Sequence, residues 1–483
     1  MRRSWIKQLF HPPQIGQAAA RYWVAPICLT SAFAILLAGC GSGYMKPAAP
    51  SSTVVFTKAS TQQWIHEFGT GTVSHGDDQG DTLVGIATDP QGNAITAGYT
   101  TGAFSGFSNP NGVPQDFIAK YDPAGTQLWL QQFGTANGDQ LGGVAVDTQG
   151  NIAVAGVTEG AYPGFTNPNH FLQAVVEKLD SSGHQLWLQQ LNLSTSTTID
   201  GVAVDSQGNV LVCGQASSST YQFYPDPYYD YASQPTNIFV EKLNGGTGAE
   251  EWIQQFGNGS ATDSVSSIAV DSQGNPVLVG TSSGAFPGTM NYPGMNPSQP
   301  FVLKLSASTG QTLWMHQSSN SYSPSGFAYN AVAVDGQGNV VADGEGAGPE
   351  CLVFKFNGTN GNTMWQQNFG GAQGCLAGGL ALDTDGSILA GGYATGAFLP
   401  SFTANTDDIF LAKFTAGGQP VSIQQFGTGN EIAEQDSEIS SAVSIAIDAQ
   451  NNTFVGGMTT GAFSGYTNAK GAQEIFLGKF GPQ

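Results

Sequence analysis

Residues 85–93 read GIATDPQGN, and close variants of this string return six more times along the 483-residue chain. The further copies are GVAVDTQGN, GVAVDSQGN, SIAVDSQGN, AVAVDGQGN, GLALDTDGS and SIAIDAQNN. In each copy, alternating apolar and small residues lead into a turn, and a second alternating run follows. Gly supplies the positive φ that a tight turn needs, and the Asp side chain caps the turn backbone. Each copy therefore predicts a β-hairpin.

Two further strand patterns accompany each hairpin. The turn aspartates are spaced 48 to 66 residues apart, about 60 on average, and are Asp89, Asp147, Asp205, Asp271, Asp335, Asp383 and Asp448. A third strand carries a lysine, at Lys120, Lys178, Lys242, Lys304, Lys355, Lys413 and Lys479. A fourth strand has a tryptophan signature such as LWLQQFG, which is degenerate in VSIQQFG at Ser422. The Trp64 copy precedes the first hairpin, so the chain starts with a fourth strand and ends with a third.

Four-stranded units repeated seven times predict an all-β fold, a seven-bladed β-propeller. The N-terminal Trp64 strand is expected to complete the last blade, which hides the open edge of each half. The repeat resembles the bacterial seven-bladed β-propeller (SBBP) repeat family over residues 54–483. That resemblance implies a fold and an envelope location, and it implies little about function. VVFTKAS, residues 54–60, looks like an eighth third strand that the pattern does not place.

Composition narrows the class of partner. Only 10% of the residues are charged, and 35 acidic residues face 14 basic ones. Nucleic acid is disfavoured as a partner, because phosphate binding needs clustered Lys and Arg. All three arginines and Lys7 lie before residue 40, so removal of residues 1–39 leaves 14 − 4 = 10 lysines and a net charge of 10 − 35 = −25.

The N-terminus has the pattern of an export signal. Basic residues precede an apolar run, Tyr22 to Leu37, which ends in Leu-Ala-Gly-Cys at Cys40. This string resembles the lipobox of bacterial lipoproteins, which implies cleavage after Gly39 and a lipid on Cys40. The alternative, a transmembrane anchor, is disfavoured because the run has about 16 residues and spanning needs about 20. The predicted segments are a signal peptide (1–39), a flexible tether (40–53) and the propeller (54–483).

A candidate ligand surface lies on the face that carries the long, variable connections. If A to D denote the strands of a blade from the innermost outward, the A–B and C–D turns are short, whereas the B–C and D–A connections are long. The blade 3 B–C connection is rich in aromatic residues, and blade 4 adds Phe286 and Tyr292. The predicted ligand-binding residues are Tyr221, Phe223, Tyr224, Tyr228, Tyr229, Tyr231 and Tyr292. Rings that stack on sugars or peptides are one interpretation; packing of the loop on its own blade is the alternative.

Few residues suggest metal binding or catalysis. Asp81, Asp139 and Asp263 each stand eight residues before a turn aspartate and, with Asp77 and Asp78, are candidates to hold Ca²⁺ at the channel mouth. The alternative is that they cap turns. Histidines occur without metal-ligand spacing. Gly280–Gly284 matches a G-x-S-x-G elbow but ends a strand with no helix after it. No catalytic residue and no required cofactor are predicted.

Two structural pairings are also predicted. The turn aspartates and third-strand lysines share the short-turn face, so we expect a repeated Asp–Lys contact, exposed and contributing about 0 to 1 kcal/mol per pair. Cys351 and Cys375 fall on the loop face of adjacent blades, and export through an oxidising compartment would permit a disulfide between them. Cys213, inside a strand, is expected to be a buried thiol.

The favoured functional interpretation is a non-enzymatic lipoprotein of the bacterial cell envelope, tethered to the outer membrane through Cys40 and monomeric. Its loop face would bind an envelope protein or glycan. The alternatives are a polysaccharide-active enzyme, a glycosidase or lyase, that uses loop carboxylates, and a purely structural surface-layer role.

Overall fold

A computed structural model describes residues 57–58, 61–72, 80–194, 196–217, 236–257, 262–284, 286, 299–318, 328–346, 350–370, 374–394, 398, 408–427, 443–467 and 472–482. These residues form β-strands joined by turns and loops, and they contain no helix that could cross a membrane.

The strands are numbered in chain order. They are β1 (Thr57–Lys58), β2 (Gln62–Phe68), β3 (Asp81–Thr88), β4 (Ala94–Thr100), β5 (Gln115–Tyr121), β6 (Gln127–Phe133), β7 (Asp139–Val146), β8 (Ile152–Thr158), β9 (Gln173–Leu179), β10 (Gln185–Leu191), β11 (Ser196–Thr197), β12 (Gly201–Val204), β13 (Val210–Ser217), β14 (Asn237–Leu243), β15 (Glu250–Phe256), β16 (Asp263–Val270), β17 (Pro276–Ser282), β18 (Gln299–Leu305), β19 (Thr312–Gln317), β20 (Ala328–Val334), β21 (Val340–Glu345), β22 (Cys351–Phe356), β23 (Thr363–Phe369), β24 (Cys375–Leu382), β25 (Ile388–Ala394), β26 (Asp408–Phe414), β27 (Pro420–Phe426), β28 (Ser444–Ile447), β29 (Thr453–Thr459) and β30 (Glu474–Phe480).

Seven antiparallel sheets form the blades, with strands A to D in order from the axis outward. Blades 1 to 6 are β3–β6, β7–β10, β12–β15, β16–β19, β20–β23 and β24–β27, and β11 pairs with the end of β13. Blade 7 consists of β28, β29 and β30 with β2 as its strand D. The all-β, seven-bladed propeller of four-stranded blades, closed by an N-terminal strand in the last blade, is therefore confirmed.

Strands B and C are buried on both sides, because each blade packs against two neighbours. At the seam between blades 1 and 2, Ile95 and Ile118 contact Leu141 and Val154. The inner strands approach so closely that a Cβ at Gly85 would lie 3.0 Å from Val144 Cγ1. Small residues in strand A therefore allow seven strands to meet around the axis.

The segment that the repeat pattern could not place supplies a fifth strand to blade 6. Strand β1 pairs in parallel with β27, with Thr57 opposite Ser422 and Lys58 opposite Ile423. Ser422 stands where the other blades carry the tryptophan of strand D. The tryptophan at this position in other blades faces the C–D turn of the next blade, and blade 7 has no such turn, because its C and D strands are β30 and β2.

Candidate functional site

In all seven A–B turns, the turn aspartate accepts hydrogen bonds from the backbone N–H groups two and four residues on. In blade 1, Asp89 Oδ1 accepts hydrogen bonds from the backbone N–H groups of Gln91 and Asn93, both at 2.9 Å. Asp89 Oδ2 accepts from Asn93 Nδ2 at 2.7 Å. Gly92 adopts a φ of 79°, which explains why the turn carries Gly. The Asp-x-x-Gly-Asn string therefore preorganises a carboxylate.

Each turn aspartate forms an ion pair with the lysine of strand C in its own blade. The Nζ–Oδ2 distances are 2.9 Å (Lys120–Asp89), 3.0 Å (Lys178–Asp147), 3.0 Å (Lys242–Asp205), 2.9 Å (Lys304–Asp271), 2.9 Å (Lys355–Asp335), 2.7 Å (Lys413–Asp383) and 3.6 Å (Lys479–Asp448). The predicted repeated contact is confirmed. Its predicted exposure is wrong: the most exposed of the fourteen side chains is 9% accessible, because the turns of adjacent blades cover the pairs.

The lysines also connect neighbouring blades. Lys120 Nζ donates to Ser181 O of blade 2 at 2.9 Å, and Lys355 Nζ donates to Ala416 O of blade 6 at 3.1 Å. Lys479 Nζ donates to Pro123 O at 3.2 Å, which links blade 7 to blade 1. The Trp64 indole donates to the same carbonyl at 3.2 Å. One face of the ring is thus held by charged and polar contacts that cross the seams.

In five of these turns, the surroundings favour the ionised form of the aspartate. At Asp89, burial raises the pKa, but hydrogen bonds from Asn93 and Lys120 outweigh it, so the net pKa is lowered. The pKa values of Asp147, Asp205, Asp271 and Asp335 are also lowered, since hydrogen bonds outweigh burial there too.

On the loop face, most of the predicted ligand contacts lie outside the described residues. This applies to Tyr221, Phe223, Tyr224, Tyr228, Tyr229, Tyr231 and Tyr292. Phe286 is described and is buried against Phe301, with ring centroids 5.2 Å apart. It is a packing residue and not an exposed ligand contact.

The glutamines of the tryptophan strands hold the start of the B–C loops. Gln132 Oε1 accepts from the Phe104 backbone N–H at 2.9 Å, and Gln132 Nε2 donates to Gly102 O at 2.9 Å. Gln190 makes the same two contacts in blade 2, to Tyr162 and Gly160, both at 3.0 Å. The loops on this face therefore rise from fixed roots.

The candidate calcium ligands lie at separate positions. Asp81 accepts from Thr100 Oγ1 at 2.6 Å, Asp139 accepts from Thr135 Oγ1 at 2.9 Å, and Asp263 accepts from Ser282 Oγ. All three are buried, and Asp77 and Asp78 lie outside the described residues. Within the described ranges, no group of three or more His, Cys, Asp or Glu side chains is placed to hold a metal ion. Calcium binding stays a prediction.

The serine of the G-x-S-x-G match has a structural role. Ser282 ends strand B of blade 4, where Thr100 stands in blade 1, and its hydroxyl bonds to Asp263 and Gly284 O.

Cys351 of blade 5 and Cys375 of blade 6 form a disulfide, with Cα atoms 5.4 Å apart. Cys213 is a buried free thiol.

Sequence reasoning missed a set of buried acids inside the strands. Glu177 and Glu241 directly precede the paired lysines, so strand alternation turns them to the opposite side of the sheet. Burial raises the pKa of each to about 7. Asp343 in β21 is fully buried, and burial raises its pKa to about 8. In the described part of the chain, Asp343 Oδ2 has no hydrogen-bond partner. For Glu177 and Glu241, the sequence signal was a Glu directly before a Lys in a strand that is buried on both sides.

Comparison with known proteins agrees with this architecture. A β-propeller repeat (SBBP) family model matches residues 251–287, which span the outer strand of blade 3 and the two inner strands of blade 4. An uncharacterized WD repeat-containing protein of Acanthamoeba polyphaga mimivirus is 28% identical over 163 residues, 29% of this chain. The match covers only 12% of that protein's length.

Three solved structures match this chain at low sequence identity. The Dos1 propeller is 11% identical with a TM-score of 0.46, covering 86% of this chain and 94% of that one. A protein of unknown function from Dyadobacter fermentans is 10% identical with a TM-score of 0.44, covering 71% and 95%. Quinohemoprotein alcohol dehydrogenase from Comamonas testosteroni is 11% identical with a TM-score of 0.44, covering 88% and 77%. With its seven four-stranded blades and its matched repeat, the chain is a β-propeller repeat protein.

Proposed function

We propose that the chain is a lipid-anchored binding protein of the bacterial cell envelope whose loop face binds a neutral glycan or a protein. The observation that carries the proposal is the contrast in connection length between the two faces. Every A–B connection has five residues, whereas the B–C connections have 5 to 19 and the D–A connections 5 to 17. Binding residues are concentrated on variable loops held by a rigid scaffold.

Charge and chemistry support a binding role for the loop face. The lysines of the short-turn face make contacts between blades, and the loop roots on the other face are fixed by Gln132 and Gln190. The longest B–C connection carries the six aromatics between Tyr221 and Tyr231. A net charge of −25 after residue 39 disfavours anionic ligands, so a neutral glycan, a cationic peptide or a calcium-bridged polymer fits better.

The anchor is tested at Cys40. Cys40→Ser should abolish metabolic lipid labelling and membrane retention and leave a protein of precursor size. Cys28→Ser is the matched control, because Cys28 lies within the apolar run before the cleavage position and should not affect labelling. Labelling that persists in Cys40→Ser would rule out the anchor.

Binding is tested with the full-length chain in mild detergent, using an array of neutral glycans and soluble peptidoglycan fragments. Replacing Tyr224, Tyr228 and Tyr229 by Ala should weaken the saturable binding of glycans longer than a disaccharide at least tenfold and leave the thermal transition nearly unchanged. The control replaces three exposed glutamines of the short-turn face, Gln91, Gln149 and Gln207, by Ala. Unfolding of the tyrosine variant would instead assign those rings to packing, and product formation would favour the polysaccharide-active enzyme.

A further inference from the structure

A cleft of about 390 Å³ opens on the short-turn face at the seam between blades 4 and 5. Its walls are the A–B turn of blade 4 and the A–B and C–D turns of blade 5. Leu313 and Trp314 of β19 provide its apolar surface. The volume lies within the range of small-ligand pockets, roughly 300 to 1,000 Å³.

A contact with the turn aspartate of the preceding blade, which blades 1, 3 and 4 make, is absent at this seam. A Cβ at Gly92 would lie 3.5 Å from Asp448 of the preceding blade, and one at Gly274 would lie 3.7 Å from Asp205. At the equivalent Gly338 of blade 5, a Cβ would meet nothing within 4 Å in the described chain. The same holds for Gly336, which stands where blades 1 to 4 carry Pro90, Thr148, Ser206 and Ser272.

The charges in the cleft are already neutralised. Lys304 Nζ lies 2.9 Å from Asp271 Oδ2 and donates to Gly358 O at 3.0 Å. Asp271 also accepts from both backbone and side chain of Asn275. An anion would find no free cation among the lining side chains and would meet an acidic protein. A cation would find no free carboxylate there.

The other side chains that line the cleft are neutral and can form hydrogen bonds with the hydroxyl groups of a ligand. Gln273, Gln337 and Thr359 are exposed along the cleft and offer amide and hydroxyl donors and acceptors. Leu313 is 54% exposed. The Trp314 indole is fixed by a 2.9 Å hydrogen bond to Gly358 O. An aromatic and an aliphatic side chain beside amides match the two sides of a pyranose, its C–H face and its hydroxyl rim.

We propose that this cleft binds a neutral mono- or disaccharide. Its C–H face would lie on Leu313 and Trp314, and its hydroxyls would bond to Gln273, Gln337 and Thr359. The site is separate from the loop face, because it lies at the opposite ends of the strands. Binding at the two faces would allow the propeller to contact two glycan segments at once.

The test is titration of the full-length chain in mild detergent with cellobiose and with N,N′-diacetylchitobiose, followed by saturation-transfer NMR. We expect saturable binding of at least one sugar with a Kd in the ~mM range. Gln273→Ala and Gln337→Ala should each weaken it roughly five- to tenfold, the equivalent of one lost hydrogen bond. Gln149→Ala and Gln207→Ala, at the same turn position in blades 2 and 3, should not change it.

A blocking variant gives a second readout. Gly336→Tyr should fill the cleft and abolish binding, whereas Ser206→Tyr, its counterpart in blade 3, should not. Binding that persists in Gly336→Tyr, or no saturable binding of either sugar, would overturn the proposal. The variant lacking Tyr224, Tyr228 and Tyr229 should bind both sugars like the unmodified chain, so failure of the loop-face function is detected separately.

Discussion

Five aspartates at the hairpin turns and three acids inside the strands are all nearly inaccessible to solvent, yet their pKa values shift in opposite directions; they are Asp89, Asp147, Asp205, Asp271 and Asp335 at the turns and Glu177, Glu241 and Asp343 in the strands. Asp147 accepts four hydrogen bonds or ion contacts, and its pKa is lowered although burial opposes this. Asp343 accepts from the Ala331 backbone N–H, and burial raises its pKa to about 8. Burial raises the pKa of both acids; the hydrogen bonds around Asp147 outweigh it, whereas those to Asp343 do not.

The two groups give stability opposite slopes with pH. A lowered pKa contributes stability above the unfolded value, near 4, that is lost as pH falls. A raised pKa contributes stability below the unfolded value that is lost as pH rises toward the folded value, near 7 for Glu177 and Glu241 and near 8 for Asp343. We expect the free energy of unfolding to be greatest at mildly acidic pH, measured by urea unfolding across the pH range. A maximum above pH 8 would contradict this comparison.

The largest loss of stability should come from breaking an ion pair between a turn aspartate and its lysine. Lys178→Met leaves Asp147 charged and buried and removes the 2.6 Å hydrogen bond to Gly208 O. The free energy of unfolding at pH 7 should fall by about 3 to 5 kcal/mol. Gln149→Ala, an exposed change in the same turn, should stay within about 0.5 kcal/mol. A loss below ~1 kcal/mol in Lys178→Met would show that the pairs do not hold the ring.

At the seam between blades 5 and 6, a lysine hydrogen bond can be compared with a covalent link. It contains the Cys351–Cys375 disulfide, which closes a separation of 24 residues, and the Lys355–Ala416 hydrogen bond. Replacing both cysteines by Ala should reduce the free energy of unfolding by roughly 3 kcal/mol. Identical denaturation curves with and without a reductant would contradict the disulfide in the purified protein.

Replacing Asp343 should change the free energy of unfolding in the opposite direction. Asp343→Asn removes a charge that has no ion-pair partner among the described residues, so it should stabilise the protein by about 1 to 3 kcal/mol at pH 9. The gain should shrink as pH falls toward 4, since the native carboxyl then carries its proton. Urea unfolding at both pH values gives the test, and a gain that does not depend on pH would assign the effect to packing.

A partly satisfied acid should show the smallest change. Glu345, two residues on, accepts from Asn330 Nδ2 at 3.2 Å, and burial is the main cause of its raised pKa. Glu345→Gln should change the free energy of unfolding at pH 9 by less than about 1 kcal/mol. An effect as large as that of Asp343→Asn would mean that the hydrogen bond from Asn330 does not matter.

The repeat spacing was enough to predict the blades, their number and the closure by the Trp64 strand, because each strand type recurs with its own signature. It also placed Lys120 and its six counterparts beside the turn aspartates. It did not give their burial, since that depends on the turn of the next blade, 61 residues away at Ser181. Side-chain environment at a seam is a property of two repeats, whereas the pattern describes one.

The candidate binding surfaces were predicted less completely. The aromatics between Tyr221 and Tyr231 were found from composition alone. The cleft between blades 4 and 5 was not found, although Gly336 departs from the residues at the same turn position in blades 1 to 4. A single glycine in a glycine-rich chain is a weak signal until its neighbours are known. The same holds for Asp343, whose missing partner can be recognised only in three dimensions.

The non-covalent pairing of β2 with β30 in blade 7 determines when the ring can form during synthesis. The Gly481 N–H donates to Thr61 O at 3.2 Å, where other blades have a covalent turn. Strand β2 is made before the first hairpin, but its partner β30 is made after the other blades, so β2 keeps an unpaired edge until β30 has been made. Because Gly481 and Thr61 are adjacent, a short linker from residue 482 to residue 61 should permit circular permutation, with new ends opened at another C–D turn. A permutant opened between Asp122 and Thr126 would make β2 late in synthesis, directly after β30.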